Sequence, residues 1–591
     1  MNKRYTPAVG IPCLVLVCLA LLVPGGCEKE QESKQAPWVD STFSSMTEQE
    51  KIGQIFCLTV DPIRYFLYPE YKSAFNLLVG KYQPGAIFVS ANLDTVKMEI
   101  RHEFNGNKLH DEILKLQEIS DIPVFVAANF ESGAWYWDYG ATRFPNPLAL
   151  AASQSPEHSY RQGKITAVEA KTQGFNWLLS PVVNLSIELG NNSLIAQSLG
   201  SDPATVADLG PWYIKGCQEV GIAACMKYFP SEIPQAVVDI PPGDLDQAQL
   251  DVFRAGIETG VLTIMTSPLD ESFADQASET HTIQENLREL LQNRLGFKGV
   301  VLSEFRTSFD SEKAVDAMNT ALEAVDAGTT MFLLPETFSE SIPVLDVLFN
   351  ETLAGKIDMK SIDAAVRKNL AVKDRINLSL AKSDHSLRAM AGMGMPEYYE
   401  SAQELSNMCI TLLKNDDDIL PIDPHNTYIF SISFFDELAS HYTTLYSEKL
   451  DQYAESLIHL NIFGKPDQRV QFEVERRAKE ADVVVCSFFR KISDDPETPT
   501  ITPDISSLMD RIVKANDSVV VLCFADPFLI NQLPEIQGYL VTYSPSKYSI
   551  EAAVNVLFGK SGPKGVIPVS ISDEFPAGAG LTYTHDPQPE E

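Results

Sequence analysis

Eight short apolar runs dominate residues 38–381 and constrain the fold more than any other feature of the chain. A continuous apolar run suits a strand that is buried on both faces, as in a parallel sheet. Amphipathic stretches such as IQENLRELLQNRL (283–295) separate the runs and predict helices between the strands. The runs are QIFCLTV (54–60), PGAIFVS (84–90), IPVFVAAN (122–129), FNWLLSPVV (175–183), GIAACMKYF (221–229), GVLTIMTS (260–267), GVVLSEF (299–305) and TTMFLLP (329–335).

Eight strand–helix units of this length predict an α/β fold, a (β/α)₈ barrel, with a doubly wound sheet as the alternative for this region. A second strand series at 427–543 predicts a three-layer α/β sandwich. The chain is too long for a single core, in keeping with two domains. The predicted segments are a signal peptide (1–26), a tether (27–37), the barrel (38–381), a polar linker (382–400), the sandwich (401–575) and a tail (576–591).

The N-terminal residues are typical of a secretory signal that ends at a cysteine. Lys3 and Arg4 precede the apolar run IPCLVLVCLALLV (11–23), which is too short to span a bilayer as a mature helix. Small residues then lead to Cys27, as in a bacterial lipoprotein, although Pro24 stands where such signals usually carry leucine. We therefore expect a lipidated Cys27 and a bacterial envelope protein held at the outer membrane by its lipid, on the periplasmic or surface face. A plain signal peptide is the alternative.

Charge and cysteine usage exclude several classes of function. The chain has 46 basic and 80 acidic residues, a net charge of −34, and no basic cluster of the kind that binds nucleic acid. Six of the nine cysteines lie beyond the leader without CxxC spacing, and the nine histidines are scattered, so we predict buried thiols and no metal site. Phosphate-binding, dinucleotide-binding and HExxH motifs are absent from the sequence, and we predict no cofactor.

Polar residues follow most of the predicted barrel strands, at the end where barrels carry their chemistry. Each one alone could be an ordinary loop residue, but together they predict a pocket. They are Asn129 and Glu131, then Asn184, then Lys227 and Tyr228, then Ser267, and then Glu304.

Several long motifs resemble glycoside hydrolase family 3, chiefly its β-N-acetylhexosaminidase branch, over nearly the whole chain after the tether. The resemblance implies a barrel, a sandwich domain and a carbohydrate substrate, such as a glycan or a peptidoglycan fragment. The stretches that carry it are MTEQEKIGQIF (46–56), LGSDP (199–203), MKYFPSEIP (226–234), LGFKGVVLSE (295–304), CITLLKNDDDILPI (409–422) and AAVNVLFGKSGPKGVIPVS (552–570).

The resemblance places Glu304 where the family carries the aspartate that attacks the anomeric carbon in a retaining mechanism. The branch uses a histidine, oriented by an aspartate, on the loop after the fifth strand as its acid/base. The matching loop, 227–243, contains no histidine and keeps only Lys227 and Asp239 of the expected residue types. Glu232 on that loop is a candidate replacement acid, with a solvated loop charge as the alternative.

Positions that hold the sugar in the family have also changed. By this resemblance Asn129 replaces an aspartate, Trp137 and Gln197 each replace an arginine, and Tyr228 replaces a histidine. Asn184 likewise stands for an aspartate and Ser267 for a histidine, so charged groups have given way to neutral ones.

Two classes of function remain open from the sequence. The first is a retaining exo-β-glycosidase of the β-N-acetylhexosaminidase type, with weak or lost activity. The second is an inactive relative that binds a glycan or a partner protein at the envelope, which the aromatic cluster Trp135, Tyr136 and Trp137 favours if its rings stack on sugars. The same cluster could instead be a packed lid of the barrel, and the second domain could serve as a scaffold contact.

Overall fold

The computed structural model shows an eight-stranded barrel followed by a domain built on a six-stranded sheet, and so confirms the predicted fold class. The structure describes residues 37–90, 106–136, 140–185, 192–229, 242–266, 287–304, 314–380, 392–436, 439–489 and 500–583.

The first domain is a closed barrel in which each parallel strand pairs with the next and the last pairs with the first. Each of the eight apolar runs supplies one strand, so the doubly wound alternative is wrong for this region. Nearly all strand residues are buried, because one side faces the barrel interior and the other faces the helices. The strands are β1 (Phe56–Val60), β2 (Ala86–Val89), β3 (Phe125–Ala128), β4 (Trp177–Leu178), β5 (Ala223–Phe229), β6 (Thr263–Thr266), β7 (Val300–Glu304) and β8 (Met331–Leu333).

Helices surround the barrel, and side-chain caps fix where several of them begin. Asp61, Asn146, Ser155 and Asp202 each accept a hydrogen bond from a backbone N–H of the first turn, and a proline follows each cap. The helices are α1 (Pro37–Ser45), α2 (Glu48–Gln54), α3 (Pro62–Leu67), α4 (Pro69–Tyr82), α5 (Gly106–Ile119), α6 (Pro147–Ala152), α7 (Pro156–Thr172), α8 (Asn192–Gln197), α9 (Pro203–Glu219), α10 (Pro242–Glu258), a π-helix (Leu287–Arg294), α11 (Ala314–Ala327), α12 (Phe338–Leu353) and α13 (Met359–Arg375), with short 3₁₀ turns at Ala134–Tyr136 and Leu378–Leu380.

The second domain has one sheet in the order β11–β10–β12–β13–β14–β9, with only β9 antiparallel. The five strand runs of the sequence each form a strand, and β9 joins them at one edge. The strands are β9 (Thr411–Asn415), β10 (Tyr428–Phe435), β11 (Ser456–Phe463), β12 (Val483–Phe489), β13 (Val519–Cys523) and β14 (Gly538–Val541).

Helices cover both faces of this sheet, and one of them corrects the predicted linker. The sequence assigns 382–400 to a polar linker, but a helix starts at Pro396, with proline in its first turn and an apolar face that packs inward. The helices are α14 (Pro396–Cys409), α15 (Ser440–Asp451), α16 (Gln468–Glu480), α17 (Pro503–Ala515) and α18 (Lys547–Leu557), with 3₁₀ turns at Asp416–Asp418 and Pro527–Gln532.

The two domains share a packed junction at helix α6. All six of its residues are buried, and Leu148 and Ala149 belong to the same apolar cluster as Tyr543 of the second domain. The side chain of Asn146 donates to the carbonyl of Tyr543 at 2.7 Å, and the backbone of Ser201 donates to that of Pro568 at 2.9 Å. The barrel and the sheet are therefore held against each other by both apolar and backbone contacts.

Six cysteines lie within the described residues, and all six are free and buried, as the sequence predicts. Among the helices that the structure describes, none is both long enough and apolar enough to cross a bilayer.

Candidate active site

The carboxyl ends of β3, β5 and β7 bring polar side chains together at one end of the barrel. Asn129 and Glu131 follow β3, Lys227 and Tyr228 lie near the end of β5, and Glu304 is the last residue of β7. Most barrel enzymes bind their substrates at this end. We call these five residues the barrel mouth.

Lys227 is the charged centre of the barrel mouth. Its side chain is only 1% exposed, and its Nζ donates to Glu131 Oε1 at 2.7 Å and to Asn129 Oδ1 at 3.0 Å. Burial lowers the pKa of Lys227, but the Glu131 carboxylate, with smaller contributions from Tyr228 and Cys225, raises it by more, so this pKa lies above its usual value. The mouth therefore keeps a permanent positive charge with a matched negative partner.

The side chain of Asn184 fixes the backbone beside that lysine. Its Nδ2 donates to the carbonyl oxygen of Tyr228 at 2.9 Å, while its Oδ1 accepts from the amide of the same residue. An amide can both donate and accept, whereas an ionised aspartate can only accept. Asparagine at 184 is thus suited to holding both backbone groups of Tyr228, a role that an aspartate could fill only in part.

The ring of Tyr228 lies close to the mouth lysine, with Lys227 Nζ 5.4 Å from its centroid. Burial raises the pKa of its phenol, Lys227 opposes the rise, and the negative charges of Glu131 and Glu304 add to it. Tyr228 therefore stays a neutral hydroxyl at physiological pH and can donate or accept a hydrogen bond.

A line of buried hydroxyl groups supports the strand end that carries Glu304. The preceding residue, Ser303, accepts from Thr266 at 3.1 Å and is 3.0 Å from the hydroxyl of Thr329. These bonds join β6, β7 and the start of β8 directly beneath the mouth. Glu304 itself is half-buried, so its carboxylate stands at the boundary between this polar layer and solvent.

Of the remaining predicted site residues, the structure describes Gln197. Gln197 ends helix α8 and is half-buried; its neighbour Ser198 bridges Val182, which also bridges Lys227, so Gln197 lies near the mouth without bonding to that lysine. The other predictions fall outside the described residues: Glu232, Asp239, Trp137, Ser267 and the lipidation candidate Cys27.

Trp135 is packed rather than presented to a ligand. Its indole is half-buried against the barrel core, and the guanidinium of Arg143 lies 4.0 Å from the ring centroid. Arg143 also donates to the hydroxyl of Tyr442 in the second domain. For this member of the aromatic cluster the structure supports the packed-lid interpretation.

Comparison with known sequences decides the family. Residues 47–372 match the model of the glycosyl hydrolase family 3 N-terminal domain, and residues 410–587 match that of its C-terminal domain. The chain belongs to glycoside hydrolase family 3. The resemblance inferred from the sequence is confirmed, and the protein is a glycosidase at the level of its family.

Relatives within glycoside hydrolase family 3 carry several substrate names. A β-N-acetylglucosaminidase/β-glucosidase of Cellulomonas fimi is 28% identical over 65% of this chain and 68% of its own length. A lysosomal β-glucosidase of Dictyostelium discoideum is 24% identical over 94% of this chain and 74% of its own. The solved β-N-acetylglucosaminidase of Paenibacillus sp. str. FPU-7 shares the fold, with 21% identity, a TM-score of 0.71, and coverage of 89% of this chain and 99% of its own.

The sequence alone did not show the roles of two residues at this end of the barrel, one in the mouth and one beside it. Glu131 follows a strand and is recognisable there, but only the structure shows that it neutralises Lys227. Asn184 stands out as a changed residue, and only its two bonds to Tyr228 give it a structural role. The described residues include no group of three or more side chains placed to bind a metal ion.

Proposed function

We propose that the chain is a retaining exo-β-glycosidase of the β-N-acetylhexosaminidase type whose turnover of simple aryl N-acetylglucosaminides is weak or absent. The observation that carries the proposal is the barrel mouth, where a buried Lys227–Glu131 pair and the last residue of β7, Glu304, lie at the same end of the barrel. The family resemblance gives the position of Glu304 to the nucleophile. The exposed amide of Asn129 and the phenol of Tyr228 supply neutral hydrogen-bonding groups suited to sugar hydroxyls.

Two changes at this site support low turnover. Glutamate is a competent glycosidase nucleophile, but its extra methylene shifts the carboxylate by roughly 1 Å, and a displacement of that order can cost about 10²-fold. The loop after β5 lacks the histidine acid/base, and general acid catalysis is worth about 10²–10⁴-fold. Such factors do not simply multiply when residues act as a unit, so the missing acid carries most of the weight.

The test is to measure kcat/KM of the purified chain on aryl N-acetyl-β-glucosaminide, β-glucoside and β-xyloside. Parallel assays of Glu304→Gln and Lys227→Met test the contributions of the β7 carboxylate and of the buried lysine. We expect residual turnover at most, lowered further by Glu304→Gln. Turnover comparable to ordinary family members, and abolished in Glu304→Gln, would establish a fully competent nucleophile and refute the weak-activity part of the proposal.

An inactive glycan-binding protein is the second candidate. The absence of histidine from residues 227–243 favours it, because a bound sugar needs no proton donor. The packing of Trp135 removes one ring that could have stacked on a sugar. Binding of chitooligosaccharide by calorimetry, with no product formed and with affinity lost in Lys227→Met, would select this candidate over the enzyme.

We also propose that the chain is an envelope lipoprotein anchored through Cys27. The charged, apolar and small-residue order of the N-terminal residues supports this. Mass spectrometry of the mature protein from membranes should show a diacylglycerol-modified first residue at Cys27. A mature mass without lipid, or recovery in the soluble fraction, would contradict it.

A further inference from the structure

The two edge strands of the second-domain sheet differ in how they are protected from pairing with another strand. At one edge the backbone of Leu581 donates to that of Leu412 in β9 at 2.7 Å, and β9 carries Lys414, which binds Asp416 and Glu535. Coverage and an edge lysine are ordinary means of preventing strands of other molecules from pairing. At the other edge, β11 pairs with β10 on one side, and no backbone within the described residues pairs with its other side.

Strand β11 carries none of the usual protective features. Its sequence, SLIHLNIF, contains no acidic residue, lysine, arginine or proline, and its register with β10 runs through eight residue pairs without a bulge. Leu457, Ile458 and Leu460 are half-buried, and Phe463 is 61% exposed. A long, regular and uncharged edge strand is a template for a further strand.

We propose that β11 of one chain pairs antiparallel with β11 of a second copy, which joins two six-stranded sheets across a two-fold axis. The two edges of the sheet indicate why the partner strand is β11 of a second copy. Leu581 and Lys414 block β9, so a head-to-tail contact that would lead to filaments is closed off, and β11 is left to pair with itself. The chain carries a net charge of −34, and β11 itself adds no acidic side chain to the contact; within the described residues the one carboxylate bound to it, Asp451, is paired with His459.

The alternation of side chains along β11 also fixes the register. Ile458, Leu460 and Ile462 face one layer of helices, whereas Leu457 faces the other. A two-fold axis perpendicular to the sheet keeps each face on its own side, so only residues of the same parity can stand opposite each other. With Leu460 on the axis, it faces its own copy, Ile458 faces Ile462, and Leu457 faces Phe463, so that every apolar residue meets an apolar partner.

Sedimentation velocity of the full mature chain at micromolar concentration tests the proposal. We expect a dimer for the wild-type chain and loss of the dimer in Leu460→Lys, because the substitution places two like charges together at the axis. The matched control is Phe472→Lys on α16, a residue that is 69% exposed but lies outside β11, and this variant should remain dimeric.

A cross-link keeps the test decisive if Leu460→Lys fails to fold. Residues opposite each other in an antiparallel pair have Cα atoms about 4.5–5.5 Å apart, within the range of a disulfide. Leu460→Cys should therefore form a covalent dimer under mild oxidation, whereas the wild-type chain, whose six described cysteines are buried, should not. A monomeric wild-type chain, a dimer that survives Leu460→Lys, or a Leu460→Cys chain that does not cross-link would each overturn the proposal.

Discussion

Two buried lysines lie at opposite ends of the barrel, and their surroundings shift their pKa values in opposite directions. At the carboxyl end, Lys227 pairs with the Glu131 carboxylate at 2.7 Å, and its pKa is held above the usual value. At the other end, Lys373 donates to the amide oxygen of Gln54 at 2.6 Å and lies 5.3 Å above the Phe125 ring. Burial lowers the pKa of Lys373 to about 7.

The difference between the two lysines is that the structure stabilises the charge of one and not that of the other. Desolvation acts on both amines, and only the lysine at the mouth has a carboxylate among the described residues to offset it. The family resemblance predicts neutral groups at many positions that are charged in the family, and the mouth nevertheless contains the buried Lys227–Glu131 pair. The proposed carbohydrate-binding role of the mouth accords with this ion pair.

The largest effect is expected from removing the partner of the mouth lysine. Glu131→Gln leaves Lys227 buried and uncompensated, and breaking a buried pair in this way costs about 3–5 kcal/mol of unfolding free energy. Urea unfolding at neutral pH measures the loss. The double variant with Lys227→Met is the control, because removing both charges should recover much of the stability. A Glu131→Gln chain as stable as the wild type would show that the pair is not coupled.

The next effect concerns the lysine at the other end and depends on pH. The folded pKa of Lys373, about 7, lies below its ordinary value of 10.5, so between these pH values the unfolded chain binds more protons than the folded one. The free energy of unfolding therefore rises with pH through this window, by up to roughly 5 kcal/mol from this group. Below about pH 7 the folded chain carries the full cost of the buried charge.

The variant Lys373→Met isolates this contribution. Its stability should exceed that of the wild type most at pH 6 and least at pH 10, although loss of the bond to Gln54 offsets the gain by about 1–3 kcal/mol. Urea unfolding of both chains at a series of pH values gives the difference curve. A difference that does not change between pH 7 and pH 10 would mean that Lys373 keeps its ordinary pKa.

The two lysines also show what the sequence could and could not predict. All eight barrel strands were predictable because each run is continuous and apolar, and the position of Lys227 at a strand end follows from the run that contains it. Its pairing with Glu131 was not predictable, since the two residues are 96 positions apart and only barrel closure brings them together. Lys373 was missed because it lies on α13 among other charged residues, where a buried lysine and an exposed one have the same pattern.

A smaller effect, on activity, is expected from changing Glu304, the carboxylate at the end of β7. If Glu304 holds the nucleophile position that the family resemblance gives it, Glu304→Asp restores the family's residue type but supplies no acid. The value of kcat/KM on an aryl N-acetylglucosaminide should then change by less than about tenfold, equivalent to about 1.4 kcal/mol. Steady-state assays beside Glu304→Gln measure it. A gain of a hundredfold or more would mean that the carboxylate position, rather than the missing acid, limits the reaction.

The smallest effect on stability is expected from replacing a side-chain amide with a carboxylate. This substitution can be made next to each of the two lysines, so it compares them directly. Asn129→Asp puts a second carboxylate within reach of Lys227, which Glu131 already neutralises, and the new charge is exposed and close to that of Glu131. The unfolding free energy should therefore change by less than about 1 kcal/mol, the usual scale for exposed pairs.

Gln54→Glu is the matched change at the other end of the barrel. The oxygen that accepts from Lys373 at 2.6 Å would then belong to a carboxylate, which would pair with the lysine. That variant should raise the pKa of Lys373 and flatten the rise in stability between pH 7 and pH 10, although the side chain would lose its donation to the carbonyl of Gln83. If both substitutions gave the same response in the pH series, counter-charge would not be what distinguishes the two ends of the barrel.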